Sequence, residues 1–182
     1  ASLDLGIAPM PSGELHPDDI ANMKAFGDIL RATFETNLAK GASINASNTR
    51  AKSLLYTVNH LTDNDRYSYW ATDDNITTAS LEINLRLPSK FNVIRLRENI
   101  KLGQRIEAVA VDTWDGKGWN EIATATSIGG NRLIRLPKIV EAQKLRLRIV
   151  QSPVSIALSD FALFAEPAAV LEETEKAAAA AL

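Results

Sequence analysis

The sequence predicts a mainly β fold, a β-sandwich preceded by an N-terminal amphipathic helix. Three observations carry this reading. Between about Ala42 and Glu166, short segments alternate apolar and polar residues, the period of half-buried strands. Turn residues interrupt those segments about every ten residues, the rhythm of a sandwich. Ahead of them, one stretch instead repeats its apolar residues at spacings of three and four.

The elements follow in order. Leu3, Leu5 and Ile7 alternate like a short strand, and Pro9, Pro11 and Gly13 then mark a loop. Pro17 suits a first helical position, and Asp18 and Asp19 suit the positive end of a helix dipole. Ile20, Met23, Phe26, Leu30 and Phe34 form one apolar face, which predicts a helix from Pro17 to Ala39 stopped near Lys40-Gly41. "SLEINLRL" sets Leu81, Ile83, Leu85 and Leu87 against Glu82, Asn84 and Arg86, and "FNVIRLRE", "RIEAVAVDT", "NRLIRLP", "KLRLRIV" and "DFALFAE" continue the series. "TWDGKGW" reads as a hairpin turning at Asp115-Gly116, and "SIGGNR" as a tight connection through Gly129-Gly130. Arg86, Arg95, Arg97, Arg146 and Arg148 fall on polar positions and read as a solvated outer sheet face that resists edge pairing. The division expected is 1–40, 41–167 and a low-complexity tail at 168–182, read as a tag or linker remnant.

Composition narrows the function. The chain has 182 residues, is 46% hydrophobic and carries a net charge of −2, which argues against a nucleic-acid binder and gives no support for an anionic membrane partner. Without cysteine there are no disulfides, thiolate metal sites or cysteine nucleophiles. His16 and His60 are the two histidines; neither belongs to a legible Ser-His-Asp set, and no phosphate-binding loop is present. The sequons at Asn45 and Asn75 matter only in a secreted eukaryotic chain.

"LTDNDRYSYWATDD", residues 61–74, concentrates acids, hydroxyls and aromatics without a regular period. Asp63, Asp65 and Ser68 offer hard oxygen donors of the kind calcium takes, with Asp160 as a remote acid. The same residues also read as an Asx-rich turn capping its own backbone. For sugar contact, Asp73, Asp74, Arg97, Glu98 and Gln151 sit at strand ends, and Trp114 is the candidate exposed aromatic. Their alternative role is in surface ion pairs worth ~0 to 1 kcal/mol. Trp70 reads as a plug beneath a loop and Trp119 as core.

The β segment resembles a known family. "LTDNDRYSYWAT" is similar to the "DG-x-x-x-T-x-W-x-T" segment of coagulation factor V/VIII type C, or discoidin, domains, which include family 32 carbohydrate-binding modules. "ENIKLGQRIEAVAVDTWDGKGWNEIATATSIGGNRLIRLP" resembles the C-terminal β-domain of bacterial α-L-fucosidases of glycoside hydrolase family 29, and "LGIAPMPSGELHPDDIANMKAFGDIL" is similar to the last strand, loop and helix of their catalytic barrel.

The resemblance implies a jelly-roll-like, galactose-binding-domain-like sandwich of about eight strands. It implies a parent that cleaves terminal α-L-fucose with retention through two carboxyls ~5 to 5.5 Å apart, both upstream of this chain. The expected role is therefore non-catalytic: binding a fucosylated or galactosylated glycan, or supporting the barrel. A sandwich with no ligand and a discoidin-type adhesion module are the alternatives. The resemblance also implies a structural calcium held by Asp63, Ser68 and Asp160, with Asp65 and the carbonyls of Leu61 and Ser159 nearby, although Asn64, Ser68 and Asp160 depart from the usual Gly, Thr and Glu. Galactose-binding relatives often carry His where this chain has Ala71. A bacterial periplasmic or extracellular setting is expected, with no membrane or nucleic-acid partner. The apolar face of the helix is expected to pack on a neighbour or a second copy.

Overall fold

The computed structural model describes residues 5–172, which divide into two compact units, residues 37–165 and the flanking residues 5–36 with 166–172. The larger unit carries seven strands: β1 (Ser43–Ala46), β2 (Trp70–Ala71), β3 (Ala79–Glu98), β4 (Ala108–Trp114), β5 (Trp119–Ala125), β6 (Arg132–Gln151) and β7 (Ala157–Phe164). All pairings are antiparallel.

The register shows how one hydrogen-bonded path makes two layers. The first half of β3 pairs with β1 and with the second half of β6, which pairs in turn with β4 and so connects to β5. The second half of β3 pairs instead with the first half of β6 and with β7, whose other neighbour is β2. Strands β3 and β6 therefore run through both sheets, and the ladder between them slips at Asn84/Ser89 and again at Phe91/Val93. Pro88 and Pro137 lie in these irregular stretches, where a residue without an N–H costs no ladder bond. Four of the expected segments thus merge into two bent strands. Leu87, expected on the inner face, is exposed beside the bend.

The core between the layers is built by the alternation. Leu81, Ile83 and Leu85 point inward from β3, Leu145, Leu147 and Ile149 from β6, and Val109 and Val111 from β4. Opposite them stand Ile94, Leu96, Leu158, Phe161 and Leu163. Every residue of β7 is buried, which marks it as an inner strand. The outer arginines are not a freely solvated face. Arg146 and Arg148 converge on Asp112, which is 2% exposed, and Arg95 clasps Asp160. Burial pushes the Asp112 carboxyl up, but the hydrogen bonds from Arg148 and Arg146 outweigh it and hold the group below the usual carboxylate range.

In the smaller unit, α1 (Pro17–Phe34) begins as expected, with His16 as its cap accepting from the Asp18 N–H through Nδ1 and Pro17 at the first position. It stops at Phe34, short of the expected Ala39. Asn37 begins a different arrangement. Its side-chain oxygen accepts from the N–H groups of Ala39 and Leu163, and Gly41 (φ +74°) completes a turn into β1 rather than a helix stop. Ile20, Met23, Phe26 and Leu30 on the apolar face of α1 are exposed. Leu5 and Ile7 are not in a strand, and Leu3 and most of the tail lie outside the described residues. No helix among the described residues is long and apolar enough to cross a membrane.

Candidate functional site

Residues 47–78 contain only a two-residue strand and three short 3₁₀ turns. Buried polar contacts hold them against the sandwich. Trp70 is 0% exposed, and its indole N–H donates to the Asn48 carbonyl at 3.0 Å, so the loop plug expected from the sequence is present. The Asn48 amide exchanges two bonds with Asp73, donating to Oδ2 at 2.8 Å and accepting from the Asp73 N–H at 2.9 Å. Asp73 Oδ1 accepts from the Ala51 N–H at 2.8 Å. That bond and the Asn48 amide hold the Asp73 carboxyl below its ordinary range. Thr72 is buried and joins the Ile76 carbonyl to the Ile156 N–H through its hydroxyl. Ala51 and Lys52 are held at φ +50° and +52°, a left-handed conformation that costs residues with a Cβ roughly 1 to 3 kcal/mol and recurs at ligand sites.

This scaffold frames a cleft of about 270 Å³ beside the end of β3 and the start of β7. Arg50 enters from the first 3₁₀ turn and Tyr56 from the second, while Tyr69 and Asp74 flank β2. Arg105 and Ser155 close the far side, with Ala71, Leu102 and Ala157 between them. Arg50 Nη1 donates to Asp74 Oδ1 at 2.6 Å, and this bond raises the guanidinium above its ordinary value. The Tyr56 and Tyr69 rings are tilted at 50° with centroids 5.5 Å apart. Burial, then Tyr56, push the Tyr69 phenol up despite the charges of Arg50 and Arg105, so it remains a neutral donor at physiological pH. Chemically, the cleft offers two guanidiniums, a carboxylate, two phenols and a hydroxyl beside aromatic rings. That is a concave surface with a few fixed polar groups beside apolar rings, the make-up of small-molecule sites in general.

Of the sugar-contact candidates, the structure brings Asp74 to this cleft and not the others. Asp73 braces the loop behind it. Glu98 is 3% exposed and is not available to a ligand. Its Oε1 accepts from the N–H groups of Arg105 (2.7 Å) and Ile106 (2.8 Å), and its Oε2 from Gly129 (2.6 Å). Arg97 donates to Asn131, and burial followed by the charge of Arg95 lowers its guanidinium from the ordinary value. Gln151 donates to Glu107 on the surface. Trp114, 37% exposed, stands edge-on to a half-buried Trp119, with the Lys144 ammonium over both rings.

The expected calcium donors are engaged by protein partners. Asp63 accepts from the Asp65 N–H, the Ser68 hydroxyl and His60 Nδ1, and Asp65 accepts from the Tyr67 N–H. Burial raises the Asp63 carboxyl, but these bonds, led by Ser68, outweigh it and lower it overall. Both oxygens of Asp160 are held by Arg95, and the Ser159 hydroxyl donates to the Arg97 carbonyl. The Leu61 side chain is buried in the core. Among the described residues, no three acidic or histidine side chains converge on one point. Calcium takes 6 to 8 oxygens around one centre, and the carboxylates of Asp63 and Asp160 here each hold protein partners.

The F5/8 type C domain matches residues 43–165, nearly the whole of the larger unit. The chain belongs to the F5/8 type C family. Its fold is accordingly the galactose-binding-like β-sandwich of that family. Alpha-L-fucosidase 1 of Arabidopsis thaliana is 28% identical over 163 residues, which cover 88% of this chain and 32% of the plant protein. A Ruminococcus gnavus family 29 fucosidase, solved in complex with fucose, superposes with a TM-score of 0.82 at 27% identity, covering 89% of this chain and 33% of that one. The chain spans about a third of the length of the relatives it matches. A chitosan-binding module from Paenibacillus sp. IK-5, at 18% identity and a TM-score of 0.61, covers 70% of this chain and 97% of its own and shares the fold. Fucosidase relatives thus occur in plants as well as bacteria.

Sequence reasoning missed Arg50, Tyr56, Tyr69, Arg105 and Ser155. Arg105 stood inside the "GQRI" motif and Tyr69 beside the buried tryptophan, so both were within reach. Arg50 and Tyr56 lie in 3₁₀ turns without periodicity, and only the folded loop brings them together.

Proposed function

We propose that this chain is the carbohydrate-binding β-sandwich module of an α-L-fucosidase, with the Arg50–Tyr69–Arg105 cleft as its sugar site. The observation that carries the reading is the cleft itself: aromatic rings and fixed hydrogen-bonding groups from five separate segments, mounted on an F5/8 type C sandwich whose relatives are fucosidases. Ala71 lines the cleft where galactose-binding relatives place His, so recognition here rests on Arg50, Asp74 and the tyrosines. The module itself is non-catalytic; the parent's retaining hydrolysis of terminal α-L-fucose belongs to carboxylates outside it. A glycan ligand of this kind supports a periplasmic or extracellular setting.

The fucosidase reading also gives the exposed apolar face of α1 an occupant, the remainder of the catalytic barrel. Calorimetry of the purified chain against a panel of plant and host oligosaccharides tests the proposal. Binding that is abolished by Arg50→Ala, with the thermal midpoint of the sandwich unchanged, supports it. Binding to none of the panel overturns it in favour of a purely supporting role.

A further inference from the structure

We propose that the cleft selects a sugar residue bearing a carboxylate. This deepens the sugar-site reading and rests on it. The two cleft arginines are not equivalent. Arg50 is neutralised by Asp74. Arg105 has no carboxylate within ion-pair distance among the described residues, yet it is firmly positioned. Its backbone N–H is fixed by Glu98 Oε1 at 2.7 Å, and its Nε donates to the Leu102 carbonyl at 3.3 Å. Its Nη1 donates to the Ser155 carbonyl and hydroxyl at 3.0 and 3.1 Å.

These bonds occupy Nε and Nη1 of a residue that lines the cleft, and among the described residues Nη2 has no hydrogen-bond partner. Carbonyl acceptors orient a guanidinium without cancelling its charge. Asp73 spends its oxygens on the Ala51 N–H and the Asn48 amide, and Glu98, which meets Arg105 at its backbone, spends its own on three backbone N–H groups. The lining therefore holds two cations and one anion, a net positive charge beside two aromatic rings. A neutral sugar would leave that charge uncompensated as it displaced water. A uronic or sialic acid residue would set its carboxylate against Nη2 in a charge-assisted bond and its ring against Tyr56 and Tyr69.

The test titrates the chain with paired oligosaccharides: an acidic sugar, its carboxyl-reduced neutral counterpart, and a sulfated analogue. About tenfold or greater preference for the carboxylate over its reduced form is expected, as for one charge-assisted hydrogen bond. The preference should weaken as salt is raised towards about 1 M. Arg105→Gln should erase the preference, and Arg105→Lys should keep part of it. Circular dichroism confirms that both variants fold, and the salt series on the unaltered chain provides an arm that needs no variant. Equal affinity for the acidic and reduced sugars overturns this inference while leaving a neutral-sugar site standing. Preference for sulfate alone overturns the carboxylate assignment. Binding to none of the three, and to no neutral glycan, removes the sugar site and this inference together.

Discussion

Arg95 and Asp160 clasp each other on neighbouring strands. Asp160 Oδ2 accepts from Arg95 Nε at 2.8 Å and Oδ1 from Nη2 at 3.1 Å, and the guanidinium carbon lies 5.0 Å from the centre of the Phe164 ring. Both side chains are largely buried. Removing one partner would leave the other as an uncompensated interior charge, a loss of about 3 to 5 kcal/mol. Asp160→Asn should lower the free energy of unfolding measured in urea by that amount, and Arg95→Met in the same background should recover much of it, because the orphaned charge is then gone. If Asp160→Asn is as stable as the parent, the pair contributes nothing.

The same pair bears on the cation expected in this region. A guanidinium already supplies positive charge to Asp160, and Arg97 and Arg66 add like charge nearby. A divalent cation would have to displace Arg95 against that field. Thermal melts with excess calcium and with EDTA are therefore expected to coincide within about a degree, the width left when a ligand adds no binding free energy. A calcium-dependent rise of several degrees would show that Asp160 turns to a metal.

Glu98 is the buried carboxylate on which the loop after β3 closes. It satisfies three backbone N–H groups that otherwise have no partner. Glu98→Gln keeps the size but removes the charge and turns an amide donor towards one of those N–H groups. Charge-assisted bonds contribute about 1.5 to 3 kcal/mol each and are not additive, so a loss of about 2 to 4 kcal/mol is expected. Hydrogen exchange should quicken at Arg105, Ile106 and Gly129 before it does in β7. Uniform quickening across the sandwich would contradict a local role.

How much of this was legible beforehand depended on periodicity. Leu81, Ile83, Leu145 and Leu147 announce their faces because strand side chains alternate, and the core follows from them. The segments on either side of Pro88, and those on either side of Pro137, look separate in sequence, whereas each pair is one long strand that bends there. Glu98 illustrates the limit for the site: as a polar residue at a strand end it resembles a ligand contact, and only the three N–H groups around it show that it is structural. Arg50 and Tyr69 are 19 positions apart in an irregular stretch, and no periodic rule connects them. Their meeting depends on the left-handed turn at Ala51 that Asp73 holds in place.

Asp115 gives the sharpest pH dependence. Its Oδ1 accepts from the N–H groups of Lys117 and Gly118 and its Oδ2 from the Asn120 amide, each at 2.8 Å, closing the β4–β5 turn in which Gly116 sits at φ +96°. The Asn120 amide, then those two N–H groups, hold the carboxyl down to about 2, against 3.8 ordinarily. A depressed folded pKa means that the unfolded chain takes up the proton first. The turn's contribution is therefore complete above about pH 4 and is lost as pH falls through about 2. Unfolding measured from pH 6 to 1.5 should show the parent and Asp115→Asn converging at the acid end and separating above it. Parallel curves would mean that the carboxylate has no preferential hold on this turn.

Tyr69→Phe separates the two things that tyrosine does in the cleft. It keeps the ring against Tyr56 and removes the hydroxyl that burial keeps neutral. A hydroxyl hydrogen-bonding a sugar contributes about 0.5 to 1.5 kcal/mol, so glycan affinity should fall roughly threefold to tenfold with little change in stability. Tyr69→Ala should cost more, because stacking is lost as well. Asp74→Asn acts in a third way: it releases Arg50 and raises the positive charge of the cleft, so neutral sugars should bind more weakly while acidic ones hold or gain. Affinities for one neutral and one acidic glycan across these three variants distinguish hydroxyl, ring and charge. Identical affinities in all three would place the sugar elsewhere on the sandwich.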